Sequence, residues 1–342
     1  MTYRGYLFVA IATFVVLALG HEGYERFRLV SCWSGGYSQN AWMAYCASDR
    51  YGVYDVEAIW FEIEHEVASR IANAKVLTLS DSQLLNALSL GNASQWFAEH
   101  HYPLYMLSAP SQESGFGLRL IEKFNPKPAV VIFDATPYFT GRMGSAEHFN
   151  DSQAEYKSVE KLHEFQTFHA TFCKKWPWIC GRNFSYFRSR VDGHWIFPKS
   201  SSRFLIGANS IPNDENRFPT SVRPDEFVDG YPHYLQVATN FINKLEIPRE
   251  CVVITAVPTE WPKAPIAKYL ARSLGLTLID PELPDMFTFD RAHLTPESAL
   301  RWTKAFLSSL EPVLKRCGAS SIPKNSLDLG ATQANQLDGA AG

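Results

Sequence analysis

Apolar positions along this chain change period several times, and each change marks an element. From Val56 onward Ile59, Trp60, Ile63, Val67 and Ile71 recur at three- and four-residue steps, with Glu62, Glu64, Glu66 and Arg70 between them. That spacing predicts one helix with a single buried face. Glu64-His65-Glu66 then falls on its solvated side. The pattern gives way at 75–79 to a short apolar strand, resumes over 83–100 as a second helix, and shortens again to a strand at 102–107. A helix at 117–124 leads into 128–133, Pro-Ala-Val-Val-Ile-Phe, apolar without alternation and therefore a strand covered on both faces. Strand, helix, strand, helix, strand in that order predicts a parallel sheet with right-handed crossovers.

The middle of the chain breaks this rhythm. Residues 152–176 read as a long polar helix, and 183–206 as an aromatic hairpin turning at Val191-Asp192-Gly193-His194. Together they predict an insertion over about 138–230. Trp176, Trp178, Tyr186, Phe187, Trp195 and Phe197 there form either the hairpin's own core or a platform for stacking a sugar. The core rhythm then returns as a helix at 234–245, a strand at 251–256, a helix at 264–274 and a strand at 277–279. Thr295-Pro296, a cap residue followed by proline, opens a last helix over 299–314. Residues 318–342 are small and polar, and predict a disordered tail.

Composition narrows the function classes. With 342 residues and a formal net charge of −3, both signs interspersed, the chain has no basic stripe for nucleic acid. Arg4 precedes an apolar run from Tyr6 to Leu19, about 14 residues, with small residues at Ala18 and Gly20. Residues 1–20 are thus either a cleaved signal peptide or an uncleaved anchor held in the membrane by 6–20, and the rest is exported to a periplasmic or extracellular space. Residues 21–55, rich in Gly, Ser and Tyr, read as an exported connector leading to a domain over 56–317. Six cysteines agree with export and fall into near neighbours, Cys32 with Cys46, Cys173 with Cys180 and Cys251 with Cys317, although other pairings are open. No Cys-x-x-Cys or His-x-x-x-His spacing suggests a metal, and no glycine-rich phosphate loop suggests a nucleotide cofactor. Asn-x-Ser sequons stand at Asn92, Asn150 and Asn183.

The chemistry concentrates at two places. Val76-Leu77-Thr78-Leu79-Ser80-Asp81-Ser82-Gln83 is a strand that ends in a small polar turn and enters a helix. A serine there lies at the carboxyl end of a parallel strand, beside helix amides able to stabilise an oxyanion. Ser82 is the candidate nucleophile, with a helix cap as its plainer reading. A serine nucleophile needs a base, and Asp290-Arg291-Ala292-His293, just before the last helix, puts a carboxylate three residues ahead of a histidine.

These two motifs, in this order and on these elements, resemble the SGNH/GDSL hydrolases, over about residues 74–314. The resemblance implies a three-layer α/β sandwich with a central parallel sheet flanked by helices, carrying here an inserted helix and hairpin. It further implies Ser82 as nucleophile, His293 as base and Asp290 as the group that orients it, with no cofactor and no metal. The family's first-block glycine is Ser80 here. Its remaining oxyanion-hole positions fall by element count near Ser111 and Thr136, beside the Ser82 amide. Neither position keeps the family's glycine or asparagine. Those departures resemble divergent, membrane-associated members, some of which move acyl groups on exported polysaccharides. The expectation is an exported esterase or O-acyltransferase acting on an acyl ester, with a glycan as one candidate substrate. A non-catalytic SGNH-like binding or assembly protein at the membrane is the alternative.

Overall fold

The computed structural model of the chain describes residues 6, 11–17, 19–21, 42–46, 54–108, 113–135, 137–143, 151–176, 185–196, 217–220, 231–260 and 264–319. In chain order the strands are β1 (Trp42–Cys46), β2 (Val76–Leu79), β3 (Leu104–Met106), β4 (Val130–Asp134), β5 (Ser185–Ser189), β6 (Trp195–Ile196), β7 (Phe218–Pro219), β8 (Val252–Thr255), β9 (Thr277–Leu278) and β10 (Phe287–Thr288). The helices are α1 (Tyr54–Trp60), α2 (His65–Asn73), α3 (Ser82–Leu90), α4 (Ala93–Glu99), α5 (Ser114–Phe124), α6 (Gln153–Lys175), α7 (Tyr231–Ile242), α8 (Ala264–Leu274) and α9 (Pro296–Arg316).

Five of the strands form one parallel sheet in the order β3-β2-β4-β8-β9. Every residue of β2, β4 and β8 is buried, as their unalternating apolar runs require of interior strands with helices against them. The sheet flanked by helices is compatible with a three-layer α/β sandwich. In this order the chain moves outward from β2 to β3, then crosses back to β4 and continues the other way. The carboxyl ends of β2 and β4 therefore feed connections that diverge, leaving a crevice between them where ligands of open α/β sheets bind.

Two predicted helices are each broken in two. The 56–71 helix stops at Trp60 and restarts at His65, with Glu62 in a left-handed conformation (φ 55°) at the break. Glu64 is the reason the face pattern misleads. It is 5% exposed, pairs with Arg190 of the hairpin and lies 3.5 Å from His163 Nδ1 of α6. The 83–100 helix breaks at Gly91-Asn92, with Asn92 at φ 57°. A Cβ on Gly91 would sit 2.1 Å from Thr303 Oγ1, so only glycine lets α9 approach α3 this closely.

The stretch read as a connector contributes β1, which pairs antiparallel along the whole of β5, and β5 pairs with β6. This small sheet docks on β3, the edge of the large one: the Met106 amide donates to the Asp192 carbonyl at 2.7 Å. Gly193 makes the approach possible, because at φ +75° its Cβ would stand 2.4 Å from the Met106 carbonyl oxygen. Arg188 of β5 is fully buried and donates to the carbonyls of Met106 and Ser108, the latter at 3.0 Å. Beside it His194 Nδ1 lies 2.7 Å from Asp192 Oδ1. Burial raises the Asp192 carboxyl, but the neighbouring His194 and hydroxyl donors outweigh it and hold the group well below the ordinary range.

Cys251 and Cys317 form the disulfide expected of them, with Cα atoms 5.9 Å apart. The Cys32–Cys46 and Cys173–Cys180 pairings, and the tail beyond 319, lie outside the described residues and side chains. Near the N-terminus, residues 11–17 are helical, and Ile11, Phe14, Val15, Val16 and Leu17 are exposed. Among the described residues no helix is long and apolar enough to cross a membrane.

Past β9 the chain buries part of Asp280, whose Oδ2 has no hydrogen-bond partner. Desolvation pushes this carboxyl up from 3.8 to about 6, Lys268 opposing the rise and Glu282 adding to it. A carboxyl raised in the folded chain binds its proton more tightly there than in the unfolded chain. Its penalty is therefore absent below the unfolded value and complete once pH exceeds the folded one. Allowing for solvent screening of this partly exposed group, Asp280→Asn is expected to stabilise by about 1–2 kcal/mol at alkaline pH. The gain should vanish in acid below the ordinary carboxyl range, which denaturant melts at the two extremes will check.

Candidate active site

The turn after β2 sorts its three polar residues by role. Asp81 is the N-cap of α3, its carboxylate accepting the Gln83 amide at 2.9 Å. Capping is thus done by the neighbour, and the Ser82 hydroxyl is left for other work. Ser82 is the first residue of α3, so its amide belongs to the turn whose N–H groups have no intrahelical acceptor. Asn86, one turn on, donates from Nδ2 to the Ser82 carbonyl at 2.8 Å and steadies that turn. Ser80, the first polar residue of the turn, is fully buried and has no left-handed backbone, so a side chain is sterically allowed there.

The second half comes from the far end of the chain. Thr295 caps α9 by accepting the Ser298 amide at 3.3 Å, and Pro296 opens the helix. Thr303 of α9 donates to the Ala87 carbonyl of α3 at 2.9 Å, so the helix that follows the histidine is fixed against the helix that begins with the serine. Between β10 and α9 the loop closes on itself: the Phe289 amide donates to the His293 carbonyl at 3.0 Å, and Thr288 bridges Leu294. Phe289 stacks on the His293 ring, with centroids 5.7 Å apart and planes 17° from parallel.

These two halves bring Ser82 Oγ within 2.8 Å of His293 Nε2, across 211 residues of sequence. On the other side of the ring, His293 Nδ1 lies 2.6 Å from Asp290 Oδ2. An ionised carboxylate can only accept, so Nδ1 carries the proton and Nε2 is left as the acceptor of the serine hydroxyl. Asp290 is held in turn by the amides of Ala292 (3.0 Å) and His293 (2.7 Å) on its other oxygen. Burial raises the Asp290 carboxyl, but the His293 ring and the two amides outweigh that and leave it below its ordinary value. The carboxylate therefore stays charged into mild acid. The His293 side chain is 14% exposed, and the dyad is reachable from solvent.

Ser82, Asp290 and His293, the residues singled out from sequence, are thus brought together. Ser111 and Thr136, the remaining oxyanion-hole expectations, lie outside the described residues. Of the aromatic residues considered as a sugar platform, Phe187 and Trp195 are buried and belong to the hairpin core. Trp176 is 38% exposed, while Trp178 and Phe197 lie outside the described residues. Among the described residues no group of three or more His, Cys, Asp or Glu side chains gathers to hold a metal.

Sequence reasoning passed over Asn86, Phe289 and Tyr138. Tyr138 packs against Phe133, Phe139 and Phe241 just past β4. Burial, with the charge of nearby Asp81 adding to it, pushes its phenol far above the usual range and keeps it neutral. Position along a helix gave the one signal for Asn86, a polar residue on an apolar face; nothing local marks the other two.

No family model matches this chain, and no curated protein or solved structure matches it either.

Proposed function

We propose that this chain is a serine-dependent acyl-ester hydrolase or O-acyltransferase of SGNH type, exported and, where residues 6–20 are retained, held at a membrane. The observation that carries the reading is the unbroken relay from Ser82 Oγ to His293 Nε2 at 2.8 Å and from His293 Nδ1 to Asp290 at 2.6 Å. It stands at the carboxyl end of β2, the side of the sheet crevice where such sheets present reactive groups. The exposed apolar side chains at Ile11, Phe14 and Leu17 support the membrane part of the reading.

In this mechanism Ser82 Oγ attacks the ester carbonyl carbon while its proton passes to His293 Nε2. Asp290 remains ionised and stabilises the imidazolium. The negative charge moves to the former carbonyl oxygen, where the Ser82 amide at the start of α3 donates to it. Collapse of the tetrahedral species breaks the ester C–O bond, and the imidazolium returns the proton to the departing alkoxide. Water or an acceptor hydroxyl then attacks the acyl-serine, with His293 again taking a proton, and Ser82 is regenerated. Water makes the reaction a hydrolysis; a sugar hydroxyl makes it a transfer.

The test is to treat folded protein with a fluorophosphonate probe and map the adduct by peptide mass spectrometry. A phosphonyl group on the peptide containing Ser82 is the expected result. No adduct there, with a serine esterase labelled in the parallel tube, would leave the non-catalytic SGNH-like reading in its place.

A further inference from the structure

The loop that presents His293 contains a residue in a conformation its side chain disfavours. Asp290 receives the amides of Ala292 and His293 and the His293 ring nitrogen, so the chain doubles back on it across the one residue between. Arg291 is that residue, at φ +73°. A residue with a Cβ holds such a backbone only where its surroundings impose it, and conformations of this kind cluster at functional sites.

Glu260, from the connection after β8, supplies the constraint twice over. Its amide donates to the Arg291 carbonyl at 3.1 Å. Its carboxylate accepts from Arg291 Nη1 at 3.0 Å on one oxygen and 3.2 Å on the other. The guanidinium also lies 4.6 Å above the ring of Phe218 on β7. β7 pairs with β10, and Thr288 Oγ1 donates to the Phe218 carbonyl at 3.3 Å, so the insertion's last strand braces the same loop from its base. The connection that carries Glu260 is itself anchored, since the Val257 amide donates to Asp134 Oδ1 at the end of β4, at 3.3 Å.

From this geometry we infer that Arg291, clamped by Glu260 and Phe218, is a positioning residue that sets His293 between Asp290 and Ser82. The kinetic part of this inference rests on the hydrolase or transferase reading; the geometric part does not. The Arg291 and Glu260 side chains are 54% and 33% exposed, and an ion pair of that kind contributes little to global stability. Its effect is local, on bonds of 2.6 and 2.8 Å that an ångström of displacement would break.

The experiment compares the full chain with Glu260→Gln, Arg291→Ala and Arg291→Gly. Two quantities are read: turnover of p-nitrophenyl acetate, and the downfield Nδ1 proton of His293 in protein labelled with nitrogen-15 histidine. Arg291→Ala keeps the disfavoured backbone and loses the clamp, so kcat is expected to fall about 10²-fold with KM changed less than about twofold. Arg291→Gly loses the clamp but adopts the left-handed conformation freely, and should retain more activity than the alanine variant. Glu260→Gln should fall about tenfold, and add nothing in the Arg291→Ala background. Melting temperatures should stay within about 2 °C throughout. The His293 proton resonance should be sharp in the unaltered chain, broadened in Arg291→Ala and partly recovered in Arg291→Gly. This readout decides the matter even if the unaltered chain does not turn over the ester. A resonance missing from the unaltered chain, or identical in all variants, overturns the inference. Equal kcat for the glycine and alanine variants, or kcat within twofold of the unaltered chain, overturns it as well.

Discussion

Replacing His293 with alanine is expected to lower kcat/KM for an activated acyl ester by about 10⁴-fold or more. Among the described residues the imidazole is the group placed to take the Ser82 proton, 2.8 Å from the hydroxyl, and a serine hydroxyl without a base is a weak nucleophile at neutral pH. The same substitution should abolish fluorophosphonate labelling of Ser82. Since the two residues act as a unit, the Ser82→Ala, His293→Ala double variant should be no slower than either single variant. Asp290→Asn tests the orienting role separately. An amide in place of the carboxylate can donate to the ring and turn the wrong tautomer toward Ser82, with a loss on the order of 10⁴-fold while the fold is retained. Steady-state kinetics beside circular dichroism of each variant make the comparison. Activity within tenfold of the unaltered chain in His293→Ala would remove the relay from the mechanism.

The second large effect concerns stability. The Cys251–Cys317 bond closes a segment of 66 residues, which in the chain-entropy model of cross-linking contributes about 4 kcal/mol. It joins the end of α9 to the 3-10 turn that leads into β8, a junction where Arg316 also donates to the Glu250 carbonyl at 3.2 Å. The closed segment contains β8, β9, the histidine loop and all of α9, so the bond restrains the part of the chain that supplies Asp290 and His293. Cys251→Ala with Cys317→Ala should lower the melting temperature by about 8 °C. Calorimetry of the pair against the unaltered chain measures it, and coincident transitions would show that the bond contributes nothing.

Most of the large sheet was legible from apolar runs alone, because an interior parallel strand has no polar face and its sequence says so. Element edges were less so: the 56–71 and 83–100 patterns run through real breaks, since the paired helices on either side bury faces with the same period. Glu64 illustrates the limit. By spacing it is a surface residue, and it is buried because Arg190 and His163, both distant in sequence, converge on it. The aromatic hairpin was foreseen but its purpose was not. It pairs with β1, and its docking on the Met106 edge depends on Gly193 and Arg188 meeting backbone from far away in sequence.

By itself, then, the sequence determined the alternation of elements, the two motifs at their ends, and the residue types that a serine relay needs. Those are local properties: a strand, a cap or an Asp-x-x-His turn is written in neighbouring residues. Only the tertiary structure decided that Asp81 does the capping and frees Ser82. It also decided that α3 and α9 lock through Thr303, and that Glu260 holds Arg291 in a conformation its own side chain disfavours. The second and third turn on contacts a few ångströms long between residues far apart in the chain, and no local pattern encodes such a distance; the first is local, but Asp81 and Ser82 are both good caps and only the built turn chooses between them.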